Sequence, residues 1–221
     1  MKKAESYRRL ASEQMLLPAD GTPARGSRSG ILSAALKLFA ERGYGGTSVR
    51  DIAAVSQVQP ATLYAHFPSK QHVLSELIAL GHEEHLKRMR AALLETSADP
   101  AEQIAALVRA HVEFHTTYPM LSVVANSELH SLEGGFAAPA LALRKQAEQM
   151  LSEVIRRGIE KGEFDVPHEW LAMAWIGGAG LRVGNWYTED FELPPEAVAE
   201  HYVELAWRVL GVTRKRTGRK K

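Results

Sequence analysis

From Ile31 the apolar residues Ile31, Ala35, Leu38 and Phe39 recur at the spacing of one helix face, and no later stretch alternates apolar and polar residues as a strand would. Helix breakers cut the rest of the chain into pieces: Gly43, Pro60, Pro68, Asp99-Pro100, Tyr118-Pro119, Gly134-Gly135 with Pro139, Gly162 and Pro194-Pro195. A helix opened by Ser27 or Ser29 as cap and stopped at Gly43 is expected first, then short helices from about Ser48 to Val55 and from Pro60 to His66. Longer helices are expected over about 70–95, 101–117, 119–131, 139–161, 167–188 and 196–210. The fold class is therefore all-α, a three-helix N-terminal unit followed by a helical bundle. The spacing divides the chain into a mobile arm over 1–26, a head over 27–72, a body over 73–210 and a basic disordered tail over 211–221.

The net charge of +1 hides an asymmetry between these parts. Residues 1–70 carry 10 lysines and arginines against 5 acids, residues 71–210 carry 11 against 21, and residues 211–221 carry 6 against none. A basic head and tail on an acidic body suit a module that meets phosphate with one end only. The chain has no cysteine, which removes disulfides, thiolate metal sites and cysteine nucleophiles together. No apolar run reaches the ~20 residues a membrane helix needs, since the best stretch, Trp170 to Leu181, ends at Arg182. Without an apolar leader at the N-terminus, a cytoplasmic location and no membrane partner are expected.

The stretch from Thr47 to Lys70 carries the chemistry. Ser48 precedes Asp51 by three residues, a capping-box start, while Val49, Ile52, Ala53, Val58, Leu63 and Phe67 supply one small shared core. Two short helices joined by a tight turn in this way form a helix-turn-helix, whose second helix enters the major groove of DNA. Its outward positions are Gln59, Pro60, Ala61, Thr62 and Tyr64; Gln59 suits an adenine edge, and Thr62 offers a methyl and a hydroxyl. Tyr64, His66 and Lys70 stand where they can take phosphates, although Tyr64 and His66 also suit the mini-core.

On these residues, ILSAALKLFAERGYGGTSVRDIA followed by ATLYAHFPSK, the segment Ile31 to Ile78 resembles the DNA-binding domain of the TetR family of transcriptional regulators. The resemblance implies a DNA-binding surface of Thr47, Ser48 and Arg50 with Gln59, Pro60, Ala61, Thr62, Tyr64, His66 and Lys70. It also implies a repressor that binds a palindromic operator as a homodimer, pairing through helices about 167–188 and 196–210, and that a small-molecule effector releases. Gln57 departs from the family, which places glycine in that turn; glutamine in a left-handed conformation costs about 1 kcal/mol. The serine often found before the recognition helix is Gln59 here, so base preference does not transfer.

In the body, the segment from Glu128 through Gly158–Phe164 to Gly180–Tyr187 resembles the ligand domain of TetR members that respond to acyl-coenzyme A thioesters. This implies an acyl-coenzyme A thioester or another apolar acid derivative as effector, with Arg182 meeting its carbonyl or phosphate and Trp186 stacking against it. Arg182 and Trp186 are equally the parts of a salt bridge and an apolar core. Met89, Phe114, Leu121, Leu129 and Trp175 are the expected apolar lining and Asn126 a polar member, with Glu128 a further candidate. Gly177, Gly178, Gly180 and Gly184 each weaken a helix by about 1 kcal/mol, which close approach of another helix or a kink offsets.

The pairs His82/His85 and His111/His115 have helical spacing that suits a metal, but no carboxylate joins them in a ligand motif, so neither metal nor cofactor is expected. No nucleophile motif or phosphate loop is present, and an enzyme is not expected. The other reading of the same sequence keeps the head and makes the body an architectural or protein-interaction module without an effector.

Overall fold

A computed structural model of the chain describes residues 17–19 and 26–212. The expected arm and tail fall almost wholly outside the described residues; of the arm, Leu17 is seen packed against the head. The described residues form helices and no strand: α1 (Ser27–Arg42), α2 (Val49–Val55), α3 (Pro60–His66), α4 (Lys70–Leu94), α5 (Pro100–Thr117), α6 (Pro119–Ser127), α7 (Ala138–Glu160), α8 (Glu169–Leu181), α9 (Val183–Trp186) and α10 (Pro195–Val209).

Local chemistry sets most of these ends. Ser48 and Asp51 form the capping box of α2, Asp99 accepts from the Glu102 amide at the start of α5, and proline stands in the first turn of α3, α5, α6, α7 and α10. Three expectations change. α1 is entered from Gly26 at φ 119° with no side-chain cap, so neither Ser27 nor Ser29 caps it. α6 stops at Ser127, and Leu129–Ser131 forms a separate 3₁₀ turn. The expected helix 167–188 is two, broken at Arg182. On either side of the break a Cβ at Gly180 would lie 2.0 Å from the His111 ring, and at Gly184 2.3 Å from Ser122 Oγ. Close packing of α8 on α5 and of α9 on α6 therefore requires glycine at both places.

Two apolar clusters organise the molecule. In the head, Leu36 and Phe39 of α1, Ile52 of α2, Leu63 of α3 and Leu74 and Leu77 of α4 close over one another, and the cluster continues into Met120, Leu121 and Val124 of α6. The second cluster runs from Leu86 and Met89 of α4 through Leu107 of α5 and Ile155 of α7 to Val203 of α10. α4 belongs to both. Each fully buried aliphatic side chain here contributes about 1.5–3 kcal/mol.

Candidate DNA-facing surface and body cavity

The turn between α2 and α3 holds Gln57 at φ 56°, the one left-handed residue other than glycine among the described residues. The helix-turn-helix therefore keeps the backbone that glycine would make easy, with the Val58 amide donating to Ala53 O at 3.0 Å. Leu63 and Phe67 turn inward, and Gln59, Pro60, Ala61, Tyr64 and His66 are exposed along one side of α3. Thr62 is half-buried, and Ser48 and Arg50 are exposed at the start of α2. Tyr64, at 53% exposure, stands outside the mini-core, as does His66.

Two members of the expected surface have other partners. Thr47 is buried, its hydroxyl donating to Gly43 O at 3.0 Å and Leu38 O at 3.3 Å, so its side chain braces the loop after α1. The Lys70 ammonium donates to Tyr44 O at 2.8 Å and Thr47 O at 2.7 Å and lies 3.9 Å from the centre of the Tyr44 ring. Burial pulls its pKa down, and Glu128 opposes the fall. Lys70 thus ties the start of α4 to the loop before α2. Arg28 makes a parallel tie, pairing with Glu76 of α4, donating to His66 O at 3.3 Å and covering the Phe67 ring. Both lie where a spacing argument finds only exposed cations.

A cavity of about 270 Å³ lies in the body between α4, α5, α6, α7 and α8. Met89, Phe114 and Asn126 line it, as expected. Five other expected lining residues do not. Leu121 is buried in the cluster shared with the head, because α6 turns it toward α1 and α4. Leu129 packs against that same cluster from the 3₁₀ turn. Trp175 points outward from α8 at 49% exposure. Arg182 is exposed at the break between α8 and α9, and Trp186 packs against Tyr187 and Phe191. Glu128, also outside the lining, accepts from Ser131 Oγ at 2.8 Å near the head.

Four histidines line the cavity, His82 and His85 from α4 and His111 and His115 from α5. They form a hydrogen-bonded group: His85 Nε2 lies 2.8 Å from His111 Nδ1, His111 Nε2 lies 3.0 Å from Gly177 O, and His115 Nδ1 lies 2.7 Å from His111 O. His82 Nε2 and His115 Nε2 are buried with no hydrogen-bond partner among the described residues. Burial keeps all four rings neutral. It pushes His82 down to about 4, with the charge of Arg144 adding to the fall, and it holds His85, His111 and His115 below the ordinary imidazole range. No group of three or more histidines, cysteines and acids is placed to hold a metal ion among the described residues. Sequence spacing showed each pair; the packing of α4 on α5 that joins them was not legible there.

The order of head and body matches known proteins. Residues 31–77 match the model described as bacterial regulatory proteins, tetR family, and residues 97–210 match the model of the tetracyclin repressor-like C-terminal domain. The HTH-type transcriptional repressor KstR2 of Rhodococcus jostii is 26% identical over 192 residues, covering 85% of this chain and 93% of that protein. The crystal structure of a regulatory protein in the tetR family from Rhodococcus RHA1 superposes with a TM-score of 0.79 at 28% identity, covering 86% of this chain and 100% of the other. The TetR family regulator PfmR from Thermus thermophilus gives 0.73 at 32% identity over 81% of this chain and 98% of its own. These relatives regulate transcription and are not enzymes, and no described helix here is long and apolar enough to cross a membrane. With one family's models on both the head and the body, in that order, the chain belongs to the TetR family of transcriptional repressors.

Proposed function

We propose that the protein binds a palindromic operator as a homodimer, through two copies of the α2–α3 surface, and that a small molecule entering the body cavity releases it. The observation that carries this reading is α4. One 25-residue helix begins at Lys70, tied to the loop before the helix-turn-helix, and farther along presents Gly81, His82, His85 and Met89 to the cavity. A guest that favours a different position of α4 changes the spacing of the two heads. Release follows only if the guest binds the DNA-incompetent state more tightly.

Ser48, Arg50, Gln59, Pro60, Ala61, Thr62, Tyr64 and His66 form the proposed contact surface, with Thr47 and Lys70 acting from behind it through the loop they brace. The division into a head over 27–72 and a body over 73–210 suits this action, and the packing of α1 on α6 gives the two parts a second contact. For the dimer, Leu171 and Trp175 on α8 and Leu205 on α10 offer exposed apolar surface. Gly177 and Gly178, where a Cβ meets nothing within 4 Å, border the cavity instead. Trp175 is thus assigned to the dimer and not to the effector.

The cavity favours an effector-responsive body over a purely architectural one. At about 270 Å³ it falls just below the range of pockets for drug-sized molecules, so it suits a compact, largely apolar guest. Arg182 and Trp186, the positions that the resemblance assigns to a coenzyme A thioester, lie outside its lining.

The test is fluorescence anisotropy of the full chain on a palindromic duplex selected from random DNA. Binding is expected to fall steeply with salt, and Tyr64→Ala or Arg50→Ala is expected to weaken it about ten-fold or more. Unchanged affinity in the double variant overturns the assigned surface.

A further inference from the structure

We infer that Gly177 is a specificity-determining residue of the effector site: where a side chain would stand, the α8 wall of the cavity has a slot, and the slot takes a ring or branch of a broad, largely apolar guest. This rests on the body cavity being the effector site. Among the described residues three glycines line that cavity, Gly81, Gly177 and Gly178. Packing explains Gly81, because a Cβ there would lie 3.0 Å from Ala125 Cβ where α4 meets α6. Neither packing nor backbone explains Gly177. A Cβ there meets nothing within 4 Å, and the residue is not among the glycines held at positive φ. Glycine still weakens a helix interior relative to alanine, so its presence here sets helix stability against space in the cavity.

Helical spacing gives the direction of the slot. Trp170, Ala174, Gly177 and Leu181 recur at i, i+4, i+7 and i+11, which is one side of α8, and all four line the cavity. The exposed Leu171 and Trp175 stand on another side of the helix, so the proposed dimer contact leaves Gly177 to the cavity, while Gly178 lies between the two sides. The slot also has a fixed floor. Gly177 O accepts from His111 Nε2 at 3.0 Å, and the His111 ring already fills the place of a Cβ at Gly180, so α8 has no room to move inward and close the gap. A guest that lays a ring edge against this backbone buries apolar surface that a narrow chain leaves uncovered. A ten-fold preference corresponds to about 1.4 kcal/mol, which the burial of about 55 Å² of apolar surface supplies.

The full-length protein and its Gly177→Leu and Gly177→Ala variants are titrated calorimetrically with 1-adamantanol, a broad cage, and with 1-hexanol, a narrow chain bearing the same hydroxyl. Gly177→Leu is expected to weaken 1-adamantanol about ten-fold or more and to leave 1-hexanol within about two-fold. Gly177→Ala is expected to raise the melting temperature of the guest-free protein by about 2–4 °C, since the methyl enters open space and the helix gains, and to weaken 1-adamantanol by a smaller factor. The alanine variant keeps the test independent of whether leucine is tolerated. A melting temperature several degrees below wild type in Gly177→Ala makes glycine a packing requirement and overturns the proposal. Gly177→Leu binding 1-adamantanol as tightly as wild type also overturns it, as does an equal loss of both alcohols, and the second of these leaves the cavity as effector site. If neither alcohol binds the wild-type protein at millimolar concentration, the cavity takes no compact apolar guest and the effector-site reading falls with the proposal.

Discussion

In the head, α1 to α3 and the start of α4 close over Phe39, Ile52, Leu63 and Phe67, and the one buried polar side chain there, Thr47, gives its hydroxyl to two carbonyl oxygens. In the body, α4 to α8 close over a cavity and four histidines, two of whose nitrogens have no partner among the described residues. The first arrangement leaves its outward residues on a stiff support, which a surface that must match a DNA groove requires. The second gives up packing and polar satisfaction, and so keeps a space whose filling by the right guest is favourable.

Acid should separate them most strongly. The folded body holds His82 near 4 and the other three rings low, whereas the unfolded chain takes up protons near 6.5. Between those values the unfolded state binds more protons, so stability is full above about pH 6.5 and falls as the pH drops. His82 alone accounts for roughly 3 kcal/mol by pH 4, with Arg144 opposing its protonation and Glu148 favouring it. Urea midpoints taken from pH 7.5 to 4.5 check this, and a flat profile would break the contrast. In the head, Leu63→Ala is expected to cost about 2–5 kcal/mol of stability, because a fully packed core has nothing to fill the space, and to abolish operator binding when the head unfolds. Thermal denaturation alongside anisotropy reads both. Gly180→Ala drives a methyl into the His111 ring and should cost about 1–3 kcal/mol while shifting the ¹⁵N signals of His85 and His111; unchanged signals would mean that α8 yields and the ring does not. The smallest effect belongs to Gln57→Gly, where relief of the left-handed strain and the added freedom of the unfolded chain nearly offset, leaving a gain of under about 1 kcal/mol in chemical denaturation and unchanged DNA affinity.

The capping box at Ser48 and Asp51, the proline in the first turn of α3 and the outward side of that helix were legible in sequence, because each depends on residues within a few positions of one another, whereas glutamine at position 57 suggested a turn of altered shape and the left-handed backbone is kept. So were most helix ends of the bundle. The break at Arg182 was not, nor was the close approach of His111 to Gly180 and of Ser122 to Gly184, which brings together residues more than sixty positions apart. Leu121 and Trp175 have the apolar character of lining residues, but their direction depends on which neighbours α6 and α8 meet.

By itself, then, the sequence determined that the chain is helical, where most of its helices start, and which residues one short helix turns outward, all consequences of local backbone chemistry and periodicity. Only tertiary structure decided that Lys70 is a brace, that two separate histidine pairs become one buried hydrogen-bonded group, and that this group borders a cavity. Burial, hydrogen placement and empty volume are properties of what surrounds a side chain, and those surroundings come from parts of the chain far apart in sequence.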